Sequence, residues 1–298
     1  MTKLLGIPIL IAFLLGYLFP FTALELSKFA FYILIAMMTL SFLNTDLSKL
    51  KEVTKLKKEI FLGLFTLFIL TPLIQWLLCH LLLTDETFFY GTFFASLCPI
   101  AIVAPQFTKK IGGNENLSFI LMFISVLLFP FASSAYLFFL TSNALSIQVA
   151  PLFFDAAILT FVPMILALLI KKFLPLLKEK LSLITFNFNM LSIAFLAFAY
   201  FGASMSKLNI SYTPYREIFM ILLILVFQDF VTYFISKWFF PNVFSVENAK
   251  SIWISISMKN IAMSGAILLF YDPKASLASA LGFLIHALFF TYLLRKRF

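Results

Sequence analysis

An all-α polytopic membrane protein is the fold class this sequence predicts, and three observations predict it. Of its 298 residues, 62% are hydrophobic and only 12% charged, with a mean hydropathy of +1.05, against roughly 25% charged residues in soluble globular chains. The apolar residues gather into ten runs of a length suited to a hydrocarbon layer about 30 Å thick. The runs are joined by short loops that leave no room for a soluble domain to carry an enzyme. Lipid offers no partner for backbone N–H and C=O groups, so these runs are predicted to be helices rather than open strands.

In chain order, Leu4–Phe19 follows Lys3 and ends at Pro20-Phe21 without a small-residue cleavage site, which makes it helix one of the mature protein and not a signal peptide. Phe29–Leu43 is short for a span, and Ile60–Leu83 is a full one. Phe88–Phe107 is broken by Cys98-Pro99 and Pro105, each proline removing a donor and disfavouring helix at the residue before it. There follow Leu117–Leu140, Leu152–Ile170, Leu183–Met205, Ile218–Ile235, Ile252–Phe270 and Leu277–Leu294. The two cysteines, Cys79 and Cys98, fall in different runs and suggest no disulfide framework.

Basic residues are distributed unequally between alternate loops. Lys3, the five lysines between Lys49 and Lys58, Lys109 and Lys110, Lys171 to Lys180, Lys237, Lys250 and the terminal Arg295, Lys296 and Arg297 make 17 of the 22 on one side. The positive-inside rule therefore predicts that both termini are cytoplasmic in a multi-pass cell membrane protein, which we expect in a bacterial inner membrane. The net charge of +9 then reads as topogenic and as affinity for anionic lipid headgroups; no basic patch with interleaved aromatics points to nucleic acid.

Lys259 in the ninth run is the most informative single residue. A lysine deep in a span costs about 2.5–3.5 kcal/mol, so it persists where it meets a partner, a cavity or a pathway; snorkelling is the alternative, and the depth of Lys259 opposes it. The fourth and ninth runs occupy corresponding places in two halves of the chain, and interrupted segments so placed point to the midplane site of a secondary transporter. The ninth has no proline, and its mark is polarity: Ser251, Ser255, Ser257, Lys259 and Asn260 gather in its first half. In the eighth run Gln228-Asp229 lies well inside the apolar zone, and Asp229 is expected either to pair with Lys259 or to be held by helix hydroxyls and amides. His286 in the tenth run reads as an interhelical hydrogen-bonder or a proton carrier. No cluster has metal-ligand spacing and no phosphate-cradling loop exists, so no metal, cofactor or ATP-driven step is expected.

These residues resemble the bile acid:sodium symporter family. Its fourth helix reads C-P-G-G-x-x-S-N, then Gly, then Leu-Ser opening the fifth; Cys98-Pro99, Gly113 and Leu117-Ser118 keep those spacings. Its ninth helix reads E-x-G-M-Q-N, and Met258 and Asn260 stand in register around Lys259. Tyr271-Asp272-Pro273 and Ile285-His286-Ala287 resemble its later F-D-P and W-H-N steps. The resemblance implies one transporter domain over 1–298, ten helices in two inverted repeats (about 1–145 and 146–298), with helices 4 and 9 discontinuous and crossed. Helices 3–5 and 8–10 would form a core that moves against a panel of helices 1, 2, 6 and 7.

The resemblance further implies a small organic anion as substrate; we expect it beside Asn260, Ser257 and Ile102, with ion or proton coupling at Lys259, Asp229, Gln228, Ser118, Ser255 and His286. The departures fall where sodium binds in that family. Its Gly-Gly is Ile100-Ala101, its Ser-Asn is Ala104-Pro105, its Glu is Ser255, its Gln is Lys259, and further ligand positions fall at Met122 and near Leu67. A hard cation needs several oxygen ligands and does not share a site with an ammonium. Transport, where present, is therefore expected to be proton-coupled or uncoupled; a related effluxer or permease, or a non-transporting membrane sensor, are the other readings.

Overall fold

The computed structural model describes residues 3–140, 149–208 and 212–293. Leu294, the basic Arg295, Lys296 and Arg297, and the expected repeat boundary near 145 lie outside the described residues. The chain is 88% helix and shows no strand among the described residues. Its helices are α1 (Lys3–Leu18), α2 (Pro20–Ser27), α3 (Ala30–Leu43), α4 (Lys57–Phe65), α5 (Thr71–Leu82), α6 (Glu86–Ser96), α7 (Ala104–Lys110), α8 (Glu115–Leu140), α9 (Val149–Phe173), α10 (Pro175–Ser206), α11 (Tyr212–Trp238), α12 (Val246–Ser257), α13 (Ile261–Tyr271) and α14 (Leu277–Leu293). A π-helical turn over Thr66–Leu70 fuses α4 and α5 into one span.

Among the described residues, five helices are long and apolar enough to cross a membrane: Lys57–Leu82, Glu115–Phe139, Val149–Phe173, Pro175–Ser206 and Tyr215–Asn242. A sixth is added if α1 and α2, bent by 109° at their junction, count together. Each of the ten apolar runs nevertheless falls on a helix or a pair of helices. The protein is thus an all-helical, multi-pass membrane protein.

The helix ends differ from expectation where proline acts as an initiator. Pro20 and Pro175 each begin a helix, because a fixed φ and a missing N–H suit the first helical turn. The residues before them, Phe19 (φ −127°, ψ 57°) and Leu174 (φ −133°, ψ 58°), leave the helical region as pre-proline sterics require. The loop expected after the first run is therefore the helix α2, and the seventh helix starts eight positions before the apolar run does.

The helices pack in two sets that also touch one another, through α8 on α9 and through α14 on α10 and α1. Helix α10 packs on α1, α2, α3 and α9, and α3 packs on α9; α12 packs on α7, α8 and α11, while α14 packs on α6, α11 and α13. Two close approaches depend on glycine, the first of them between the two sets. Gly265 of α13 lies against the ring of Tyr200 on α10, where a Cβ would overlap the ring, and the Tyr200 hydroxyl donates to the carbonyl of Ala262 at 2.8 Å. Gly91 of α6 lies against the backbone of Ala275 in the turn before α14, with no space for a side chain. Leucine and phenylalanine cover the outer faces of α9 and α10, as at Phe154 and Leu183, while serines and threonines are buried within, the arrangement expected where lipid is the surrounding medium.

Candidate functional site

The fourth and ninth runs are both broken, and the two breaks meet. Helix α6 ends at Ser96 and α7 begins at Ala104; α12 ends at Ser257 and α13 begins at Ile261. Between them Ile100 and Lys259 form an isolated antiparallel bridge. The N–H of Ala101 donates to the carbonyl of Met258 at 2.7 Å, and the N–H of Asn260 donates to the carbonyl of Pro99 at 2.7 Å. In an unbroken ninth helix the carbonyl of Met258 would accept from Ala262 and the N–H of Asn260 would bond Ile256. Each break thus supplies the backbone partners the other has lost, which is how irregular backbone is sustained inside a membrane protein.

The same exchange places Lys259. A continuous fourth helix would bond the N–H of Ile100 to the carbonyl of Ser96. Instead Ile100 donates to Ser125 Oγ on α8 at 3.0 Å. The freed Ser96 carbonyl accepts a hydrogen bond from Lys259 Nζ, which also donates to Thr71 Oγ1 on α5 at 3.0 Å. Lys259 is 5% exposed, so the lysine is buried with oxygen partners and does not snorkel.

Asp229 does not form the expected ion pair with Lys259. Its carboxylate is 6% exposed and Oδ2 has no hydrogen-bond partner among the described residues, while the donors of Lys259 are directed to α5 and α6. The two side chains share the wall of an enclosed cavity of about 20 Å³ with Gln228, Ser257 and His286. That is room for about one water molecule. Ser257 is fixed by a hydroxyl contact with Thr232 at 3.1 Å, and Thr232 donates to the carbonyl of Asp229 at 2.9 Å.

A second cavity, of about 180 Å³, lies between the crossing and the helices α1, α3 and α10. Ile102, Lys259, Asn260 and His286 line it from the crossing side; Ile9, Ser41 and Asn189 line it from the facing helices. Asn260 is the residue before α13, and its side chain makes no capping bond, which leaves the first-turn N–H groups of that helix without a side-chain cap. Helix α7, at seven residues, is too short to offer the same.

The structure therefore brings Lys259, Asp229, Gln228, Ser257 and His286 together, and Ile102, Asn260, Lys259 and His286 together. Ser118 and Ser255 line neither cavity; their hydroxyls bond one another at 2.9 Å between α8 and α12. Sequence reading missed Thr71, Ser96 and Ser125, which hold the crossing. It also missed Gln75, whose Nε2 donates to the carbonyl of Thr92 at 3.1 Å while Gln75 Oε1 and Thr92 Oγ1 are buried without partners among the described residues. The available signal was spacing: Thr71 and Gln75 on α5, and Thr92 and Ser96 on α6, each stand four apart and so share a helix face.

Comparison with curated proteins gives no match. The family profile described as the Sodium Bile acid symporter family matches residues 31–211, which is more than half of the chain and includes the fourth-run break but not the ninth. Proteins of that family are transporters and not enzymes. On this match, the chain belongs to the sodium bile acid symporter family.

Proposed function

We propose that the protein is a secondary carrier of a small organic anion that works by alternating access without sodium, with Lys259 standing where a cation would otherwise bind. In this reading the ten apolar runs are ten crossings in two inverted repeats, about 1–145 and 146–298. Helices α4 to α8 and α11 to α14 form the core, and α1, α2, α3, α9 and α10 form the panel. Both termini face the cytoplasm of a bacterial cell.

The observation that carries the reading is the position of Lys259, bonded at the crossing and exposed to the cavity between core and panel. The residues present do not fit a sodium ion: the hydroxyls of Ser118 and Ser255 are bonded to each other, Ala104 and Pro105 carry no side-chain oxygen, and an ammonium already occupies the crossing. An organic anion suits the larger cavity because the N-terminus of α13 and the lysine both favour negative charge there. Asn260 and Ile102, which line that cavity, stand next to the substrate in this reading, whereas Ser257 lines the smaller cavity. Asp229 is coupled to Lys259 through the small cavity they share, with Gln228 and His286 beside it, so that one proton can move between them as the crossing rearranges.

Ser41 and Phe107, in the wall of the larger cavity, lie near the ends of α3 and α7 that lead into the lysine-rich loops, which supports an inward-facing state. The existence of that cavity favours a carrier over a non-transporting relative whose crossing has packed shut. The test is uptake of a panel of labelled organic anions into proteoliposomes. Uptake unchanged when sodium is replaced by potassium is expected; steep sodium dependence, or stabilisation of the purified protein by sodium alone, would overturn the sodium-free mechanism.

A further inference from the structure

Away from the crossing, at the lysine-rich end of α3, α9 and α10, a basin of about 640 Å³ is lined by Asn44, Thr45, Asp46, Lys171, Lys178 and Glu179. Its wall is held in place by specific bonds. Lys171 Nζ donates to the carbonyl of Thr45 at 2.7 Å, joining the ends of α9 and α3, and Asn44 Nδ2 donates to Thr185 Oγ1 at 3.3 Å, joining α3 to α10. Lys178 and Asp46 both act electrostatically on Lys171. Two ammonium groups and two carboxylates thus line one basin, and their formal charges balance.

Apolar residues flank the lining residues Lys171, Pro175 and Lys178 in the chain. Phe173, Leu174, Leu176 and Leu177 are exposed, Leu176 at 76%. They surround the α9–α10 turn, on the side where lysines mark the membrane–water interface. A charged basin whose lining residues are flanked by exposed leucines at that depth matches a molecule with a compact charged head and apolar chains. The paired signs of the lining select among such molecules, because a phosphate meets lysines and a primary ammonium meets carboxylates.

We propose that this basin is a phospholipid site that takes the headgroup of phosphatidylethanolamine. Its phosphate lies between Lys171 and Lys178, its ammonium toward Asp46 and Glu179, and its acyl chains over Leu174, Leu176 and Leu177. A lipid so seated binds α3, α9 and α10 together at one end and stiffens the face of the protein that lines the larger cavity.

The site is tested on the purified, delipidated full-length protein by native mass spectrometry with added palmitoyl-oleoyl phosphatidylethanolamine, phosphatidylglycerol or phosphatidylcholine, and with chain-free glycerophosphoethanolamine. Phosphatidylethanolamine is expected to be retained about tenfold better than phosphatidylcholine, whose quaternary ammonium donates no hydrogen bond, and the preference should fall by a similar factor in Lys171→Gln/Lys178→Gln. Lys178→Gln alone leaves the Lys171–Thr45 bond in place and should lower retention without unfolding; Lys180→Gln, outside the lining, should change nothing. Equal retention of the three lipids, preference for phosphatidylglycerol, or unchanged retention in both lysine variants overturns the proposal. Glycerophosphoethanolamine binding as tightly as the intact lipid would show a soluble phosphate site and overturn the lipid assignment.

Discussion

Lys259 donates a hydrogen bond to Thr71 at 3.0 Å across 188 positions of sequence, and a second to the carbonyl of Ser96. The Ser96 carbonyl is available because the chain turns out of helix at Cys98-Pro99 and the N–H of Ile100 is held by Ser125. Lys259 therefore acts as the missing helical donor for α6. Removing it leaves a buried carbonyl unsatisfied, so Lys259→Met should lower the stability of the detergent-purified protein by about 1–3 kcal/mol, and Thr71→Val by about 1 kcal/mol. In the double variant the losses should be less than additive. Thermal unfolding of the four proteins provides the measurement, and strict additivity would show that Thr71 is a neighbour of Lys259 and not a partner.

The positions of the helices were legible in the sequence because hydropathy is a local property: every apolar run carries a helix. The break at Pro99 was equally legible, since proline acts on its own neighbours. The break at Met258–Asn260 was expected only through the family resemblance, because nothing local forces it. It is sustained by bonds to Pro99 and Ala101, some 160 positions away. The same holds for the site. Lys259 and Asp229 were visible as residues misplaced in lipid, yet their partners depend on which helices face them. Charge alone left open whether Asp229 pairs with Lys259, and the structure gives the lysine a carbonyl and a hydroxyl instead.

Ser118 is among the positions expected from the sequence to serve ion coupling, but its hydroxyl is committed to Ser255. Ser118→Ala should cost about 1 kcal/mol in stability by leaving Ser255 with a lost partner. It should leave the ion dependence of uptake unchanged. A shift in sodium dependence in this variant would return Ser118 to a cation site.

Topology gives a prediction independent of the site. With 17 of 22 basic residues on one side, cysteines introduced one at a time at positions 49 to 58 should resist an impermeant thiol reagent in intact cells and react after permeabilisation. Labelling of intact cells there would invert the protein and, with it, the side on which the larger cavity lies.

Gly265 and Tyr200 pin α13 to α10, and with them the crossing to the helices opposite. A Cβ at Gly265 would overlap the Tyr200 ring, which is fully buried and bonded to Ala262. Gly265→Ala should therefore destabilise by about 1–3 kcal/mol through overpacking. Tyr200→Phe removes the hydroxyl but keeps the ring, and should cost less, about 1 kcal/mol. A neutral Gly265→Ala would mean that α10 and α13 slide freely here.

The last prediction concerns the cavity between Asp229 and Lys259. No direct ion pair joins them, yet both are buried and both line a space for about one water, so their charges interact across a short, weakly screened gap. Lys259→Met leaves Asp229 buried with no cation in its cavity, and Asp229→Asn removes the charge that would then be uncompensated. The double variant should accordingly be more stable than the sum of the single losses predicts, by about 1 kcal/mol or more. Transport separates this coupling from packing: Asp229→Asn should slow uptake and weaken its dependence on an imposed proton gradient, whereas a variant that only disturbed packing would lose stability and uptake together with the gradient dependence intact. Additive stabilities with full uptake in Asp229→Asn would remove Asp229 from the mechanism and leave Lys259 as a structural replacement for the missing helical bond.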